Sequence, residues 1–288
     1  MESIGSILVA TDLSEASDSA LTHAARLAKE TGASLRVVHV ASSDTMELLG
    51  SVMPETKGVS ESYFKEQASQ KLEERLGSMG LAASPEHEVR FGKPHREIIA
   101  ALEEQGADLL VLGATGQTGR RMGTVSGRCV RMSPVSVLLV PDRHADAFKS
   151  VVACVDFSDG SPEVMRQASI MAEHEDAELR AIYVYHIPDS SPFHNSGVDL
   201  SKSFEEFPNL MATRFRERIE PSARGASVSL TLVENLDYTQ GILGYIEREH
   251  IDLVVVGTTK RSRLGYAIMG TTAEKVIRDS SGAVLAAR

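Results

Sequence analysis

The sequence repeats itself at half its own length. Asp12-Leu13-Ser14 meets Asp156-Phe157-Ser158 at a shift of 144 residues (156 − 12) in a chain of 288. At the same shift Ala24 meets Ala168, Ala28 meets Ala172, Leu35-Arg36 meets Leu179-Arg180, and Val40 meets Val184. Farther on, Ile98 meets Ile242, and Asp108-Leu109 with Val111 and Gly113 meets Asp252-Leu253 with Val255 and Gly257. Solenoid repeats recur every ~20–50 residues, so a shift this long is the duplication of a whole domain. Two domains are expected, 1–143 and 149–288, with the seam in the polar stretch Asp142 to Ser150. An apolar content of 42% supplies a core for each.

Within a copy, the hydrophobic period changes in regular order. Ser6 to Ala10 and Leu35 to Val40 are short apolar runs of the kind that form buried parallel strands. Between them Ala16, Ala20, Ala24, Leu27 and Ala28 recur at helical spacing, with Ser14 placed to cap the start and Gly32 to end it. Phe64, Ala68, Leu72, Leu76 and Met79 make a second helical face, Glu88 to Phe91 a third strand, and Ile98, Ile99 and Leu102 a third helix. A strand at Ala107 to Leu112, a short helix at Thr124 to Met132 and a strand at Val135 to Val140 complete the unit. Alternation of this sort specifies an α/β fold: two tandem, doubly wound, five-stranded parallel-sheet domains of Rossmann-like form.

Several function classes are excluded by simple features. The longest apolar runs, Ile7 to Ala10 and Leu253 to Val256, fall far short of the ~20 residues that cross a bilayer, and no membrane partner is expected. Glu2 and the break at Thr11-Asp12 do not suit a secretion signal, so a cytoplasmic location is expected. Cys129 and Cys154 sit in no metal-binding or redox motif and read as small buried residues. A net charge of −10 repels nucleic acid at long range, although a local basic patch can still hold one small polyanion. A P-loop sequence is absent, as is a Ser-Gly-Gly-type loop after the first strand.

Doubly wound sheets bind ligands at the carboxyl ends of their strands, where the strand order reverses. If the first strand is flanked by the second and fourth, that crevice lies between Thr11-Asp12 and Gly113. Asp12 can accept hydrogen bonds from a base or ribose. The glycines from Gly113 to Gly123 offer bare amides, and the helix beginning near Thr124 points its N-terminus at the same space. These are the parts of a nucleotide pocket.

With those residues in place, the chain resembles the universal stress proteins, and specifically their tandem two-domain form; the likeness covers nearly all of both halves. ATP-binding members carry an early Thr-Asp or Val-Asp, a valine ending the second strand, and a loop G-x2-G-x9-G-(S/T) after the fourth. The resemblance implies binding roles for Thr11, Asp12, Val40, Gly113, Gly116, Gly123, Thr124 and Ser126 in the first half. Apart from the resemblance, Arg120-Arg121 are placed to meet phosphate and offset a shortened loop. In the second half it implies the same for Asp156, Val184, Gly257, Gly270 and Thr271. Each loop departs from the pattern. The first holds only six residues, Gln117 to Met122, between Gly116 and Gly123, where the second holds nine between Lys260 and Gly270. In the second half Lys260 replaces the second glycine, where it either strains a turn needing positive φ or reaches a phosphate as a point charge.

The resemblance implies ATP or AMP as ligand, with Mg²⁺ brought by the nucleotide, and a role in stress response as a nucleotide-responsive signalling or protective protein with an unknown protein partner. Two alternatives stay open: an interaction scaffold whose pockets have decayed, and a slow ATP-hydrolysing enzyme. Asp12 and Asp156 also fit a purely helix-capping role, Gly113 and its neighbours plain turns, and Arg120-Arg121 a solvated face. His39, opposite Tyr183, reads as a satisfied core histidine, and Phe207, Met211 and Phe215 as core. Ile187 to Ser203, with its prolines and serines, reads as a surface loop. In the family the last strands of two domains pair, which here points to pairing of the two halves within one chain, and further symmetric association to a homodimer.

Overall fold

The computed structural model describes residues 4–52, 61–81, 84–114, 123–142, 146–187, 201–258, 260–261 and 267–288. The chain forms two compact units, Met1–Ala147 and Phe148–Arg288. In the first unit the order is β1 (Ser6–Thr11), α1 (Glu15–Thr31), β2 (Ser34–Ser42), α2 (Ser43–Val52), α3 (Glu61–Ser78), β3 (Glu86–Gly92), α4 (Pro94–Gln105), β4 (Leu109–Gly113), α5 (Thr124–Met132) and β5 (Ser136–Val140). The strands lie in the order β3-β2-β1-β4-β5, and each neighbouring pair is parallel. Strand order thus reverses between β1 and β4, as a doubly wound sheet requires.

The second unit repeats the plan with β6 (Ser150–Cys154), α6 (Ser161–Glu175), β7 (Glu178–Tyr185), α7 (Ser201–Arg218), β8 (Ser229–Glu234), α8 (Tyr238–Arg248) and β9 (Leu253–Gly257). A two-stranded ribbon, β10 (Lys260–Arg261) and β11 (Ala267–Ile268), then precedes α9 (Thr271–Asp279) and β12 (Ala283–Ala287). Its main strands lie in the order β8-β7-β6-β9-β12, the same topology in the same register of roles.

Local chemistry explains the boundaries. Ser14 accepts a hydrogen bond from Ser17 N at the start of α1, and Gly32 ends it at φ 71°, where only glycine is unstrained. Pro94 begins α4 and Gly106 closes it at φ 60°. Ala20, Leu21, Ala24, Leu27 and Ala28 bury one face of α1 against β1 and β4. Helices cover both faces of the central strands, so Ile7, Leu8 and Val9 of β1 and Leu109, Leu110 and Val111 of β4 are all fully buried, with no alternation. β5 and β12 are buried at every residue.

At the amino edge of each sheet one carboxylate ties the first strand to the fourth. Asp108 Oδ2 accepts from Gly5 N and Ser6 N at 2.9 and 3.0 Å. Asp252 Oδ2 does the same for Lys149 N and Ser150 N at 2.7 and 3.0 Å. The duplication carried a working part, not only a pattern of apolar residues.

Three elements depart from the sequence reading or were missing from it. Helix α2 follows β2 directly; it is short and keeps Leu48 and Val52 exposed, so it lacks the buried stripe by which a helix is recognised. The ribbon β10–β11 is held by backbone pairing of Lys260 with Ile268 and Arg261 with Ala267, which leaves no periodic signal in so short a run. The expected loop to Ser203 is corrected at its end, because α7 begins at Ser201; residues 188–200 lie outside the described set. Met211 and Phe215 are buried as core, whereas Phe207 is half-buried.

Candidate functional site

The register of the first sheet brings the anticipated residues to one edge. Ala10 lies between Val38 and Leu112, so Thr11 stands beside His39, and Gly113, one step beyond Leu112, stands beside Val140. Val40, half-buried, follows on β2 next to Arg90. Gly123 is the N-cap of α5 (φ −57°, ψ 163°) and makes no side-chain cap, with Thr124 exposed in the first helical position. Thr11, Asp12, Val40 and Gly113 therefore share the carboxyl edge of the sheet, and α5 starts from the loop that leaves it. Gly116 and Arg120 lie outside the described residues.

The turn after β1 is tightly built. Asp12 Oδ1 accepts from Ser14 N at 3.1 Å and from the Ser14 hydroxyl, and Thr11 Oγ1 accepts from Leu13 N at 3.0 Å. Leu13 is thereby held at φ 63°, a left-handed conformation that costs a branched residue about 1–2 kcal/mol. The second copy does the same thing: Asp156 Oδ1 accepts from Ser158 N at 3.0 Å and from Ser161 Oγ at 3.0 Å, and Phe157 sits at φ 58°. Ser14, not Asp12, is the cap of α1, so Asp12 shapes the turn from two residues upstream of its amide donor.

His39 is more than an inert core residue. Its Nδ1 lies 2.8 Å from the carbonyl oxygen of Thr11, which can only accept, so Nδ1 carries the proton and Nε2 is left an acceptor. Burial pushes its pKa below the usual histidine value, against the opposing pull of the Thr11 carbonyl and Asp12. The counterpart Tyr183 packs edge-on to Phe157 with ring centroids 4.9 Å apart, stacks on Tyr185 at 6.3 Å, and Tyr185 meets Phe207 at 4.8 Å. Where the first unit places His39, the second places a series of mutually contacting aromatic rings.

Other anticipated residues take structural roles as well. Ser126 is buried and its hydroxyl donates to Gly123 O at 3.0 Å. Val184 is buried against α8, where a Cβ on Gly241 would lie 2.6 Å from Val184 Cγ1. Gly257, exposed at the end of β9, would bring a Cβ to 3.1 Å from Val164 Cγ2. Gly270 caps α9 at φ −68°, ψ 144°, and Thr271 is exposed in its first turn. Lys260 pairs as a strand residue in the ribbon; extended pairing does not require the left-handed backbone that a glycine would favour there. Burial pushes the thiols of Cys129 and Cys154 up to about 12, so neither is a nucleophile at neutral pH.

Among the described residues no three His, Cys, Asp or Glu side chains converge to hold a metal, and no helix is long and apolar enough to cross a membrane. A hollow lined by Ser169, Glu173, Asp176, Glu178 and Arg224 opens at the amino edge of β7 and β8, away from the carboxyl edge.

The sequence profile of the Universal stress protein family matches residues 4–141 and again 147–288. The chain belongs to the universal stress protein family. Its tandem form is shown by the double match and by the two repeated units. A universal stress protein of Methanocaldococcus jannaschii is 30% identical over 143 residues, covering 48% of this chain and 81% of the relative. One from Synechocystis is 23% identical over 306 aligned positions, covering 98% of this chain and 99% of the relative, so it is similar across both halves. The crystal structure of a universal stress protein from Archaeoglobus fulgidus shares the fold, with a TM-score of 0.63 at 20% identity over 98% of each chain.

The two copies differ in charge at the start of the helix that follows their third strand. Lys93, His95 and Arg96 open α4, whereas Asp237, Thr239 and Gln240 occupy the same positions at the start of α8. A charge difference between matched positions of a duplicated chain is the sequence signal that marks it.

Proposed function

We propose that this universal stress protein binds an adenine nucleotide, ATP or AMP, at the carboxyl edge of at least one unit. It acts in stress response as a nucleotide-responsive signalling or protective protein. The observation that carries the reading is the strained turn at Leu13, which holds Asp12 beside the reversal point between β1 and β4. Asp12 would take hydrogen bonds from base or ribose. The α5 amides beyond Gly123, a cap with no side-chain bond of its own, would face phosphate, with Mg²⁺ carried by the nucleotide. We further propose a cytoplasmic location and a homodimer, the latter checked by light scattering of the purified protein.

The test is isothermal titration of ATP with Mg²⁺, and of AMP, into the wild type and into Asp12→Ala and Asp156→Ala, with mass spectrometry of any nucleotide carried through purification. Loss of binding in Asp12→Ala places a site in the first unit, and loss in Asp156→Ala places one in the second. A nucleotide-free wild type that binds neither would overturn the reading. One observation favours the scaffold alternative for the second unit: the rings of Phe157, Tyr183, Tyr185 and Phe207 contact one another there in series.

A further inference from the structure

The first unit concentrates positive charge at the start of α4, where Lys93 and Arg96 flank His95, and at Arg128 of α5. One guanidinium nitrogen of Arg128 lies 3.5 Å from His95 Nδ1, bringing together groups 33 residues apart. Lys93, Arg96 and Arg128 are exposed and His95 is half-buried between them. In a chain of net charge −10, several arginines among the described residues are matched to carboxylates, including Arg75 with Asp18, Arg90 with Glu104, Arg166 with Glu163 and Arg180 with Glu178. Lys93, Arg96 and Arg128 form no ion pair among the described residues. Burial, then Arg128, Arg96 and Lys93, depress the His95 pKa; Asp44 of α2 is the acid that opposes them.

The geometry links this cluster to the crevice. Arg128 stands four residues after Thr124, so the two share one face of α5 about 6 Å apart along the axis. The α4 N-cap, Lys93, makes no side-chain hydrogen bond to its helix. In the second unit the matched residue is Asp237, whose Oδ1 accepts from Thr239 N at 2.8 Å and Gln240 N at 3.2 Å and whose charge interacts with Lys275 of α9. The second unit thus carries an anion at the N-cap position where the first carries the Lys93 ammonium, Glu97 being the acid of the α4 first turn.

We propose that Lys93, His95, Arg96 and Arg128 form a polyphosphate subsite that makes the first unit prefer nucleoside triphosphate over monophosphate, a preference the second unit lacks. This rests on the nucleotide reading above and deepens it. Guanidinium and ammonium groups reach the outer phosphates as charge-assisted donors, while a monophosphate, held near Gly123, gains little from them.

The experiment is isothermal titration of ATP, AMP and inorganic tripolyphosphate into wild type, Arg128→Gln, Lys93→Gln and the double variant, with circular dichroism confirming that each is folded. Each single change is expected to weaken ATP about tenfold and leave AMP within about twofold. Equal losses for ATP and AMP, or no loss for either, overturn the proposal. Arg128-dependent binding of tripolyphosphate by a protein that takes neither nucleotide keeps the subsite and overturns only the nucleotide reading. A wild type that binds none of the three overturns both.

Discussion

The imidazole of His39 and the carbonyl of Thr11 meet at 2.8 Å across the β1–β2 pair, at the edge where the candidate crevice opens. This bond fixes the tautomer, while burial keeps the ring neutral in the folded state, because protonation would place a charge in a partly buried site whose desolvation outweighs the help of the Thr11 carbonyl and Asp12. The sign of the linkage follows. A histidine whose folded pKa lies below its unfolded value contributes stability that is present above the unfolded pKa, near 6.5, and is lost as pH falls through the folded one. His39→Gln, which cannot titrate, is expected to reduce the fall in denaturant-derived stability between pH 7.5 and pH 5.5. An identical fall in wild type and variant would show that His39 is not held neutral.

Two glycines three residues apart in α8 should respond in opposite directions to alanine. A Cβ on Gly241 would lie 2.6 Å from Val184 Cγ1 and 3.0 Å from Asn235 Cβ, so Gly241→Ala is expected to destabilise by about 1–3 kcal/mol. At Gly244 nothing lies within 4 Å, and Gly244→Ala should stabilise by about 0.5–1 kcal/mol through helix propensity. Urea melts of the two variants check the sign, and Val184→Ala should soften the cost at Gly241 if the clash is its cause.

Asp108 and Asp252 predict a stability effect without a binding effect. Truncating Asp108 strips an acceptor from Gly5 N and Ser6 N, and truncating Asp252 does so for Lys149 N, Ser150 N and Ser150 Oγ. Each alanine variant should lose about 1–3 kcal/mol, with Asp252→Ala the larger. Ligand affinity should stay within twofold, as both residues lie at the edge opposite the crevice. Calorimetric unfolding and titration on the same samples test both parts.

Neither cysteine should react in the native protein. With both thiols pushed up to about 12 by burial, the thiolate fraction at pH 8 is on the order of 10⁻⁴. Alkylation followed by mass spectrometry should show little labelling until denaturant is added, when both react. Fast native labelling would contradict the burial of Cys129 and, at half-buried Cys154, the raised thiol pKa.

Much of the architecture was legible because its signals are local. Ser14 and Gly32 announced the ends of α1, and the residues between recur at helical spacing whatever surrounds them. The site was legible only as a set of positions. Thr11, Asp12, Val40 and Gly113 were expected at one strand edge and reach it, but the hydroxyl of Ser126 turns back on Gly123, and Lys260 is spent on a ribbon. Those outcomes depend on which neighbour each group finds, which spacing does not record.

From sequence alone came the duplication, the alternation of strand and helix, and the crevice that a reversed strand order must create, since all three follow from periodicity and chain order. Tertiary structure alone decided the proton on His39 Nδ1, the left-handed turns at Leu13 and Phe157, and the meeting of His95 with Arg128. These are distances between groups brought together by packing, α4 against α5 and β1 against β2, and a hydrogen bond or a field between charges falls away over a few ångströms that no sequence pattern measures.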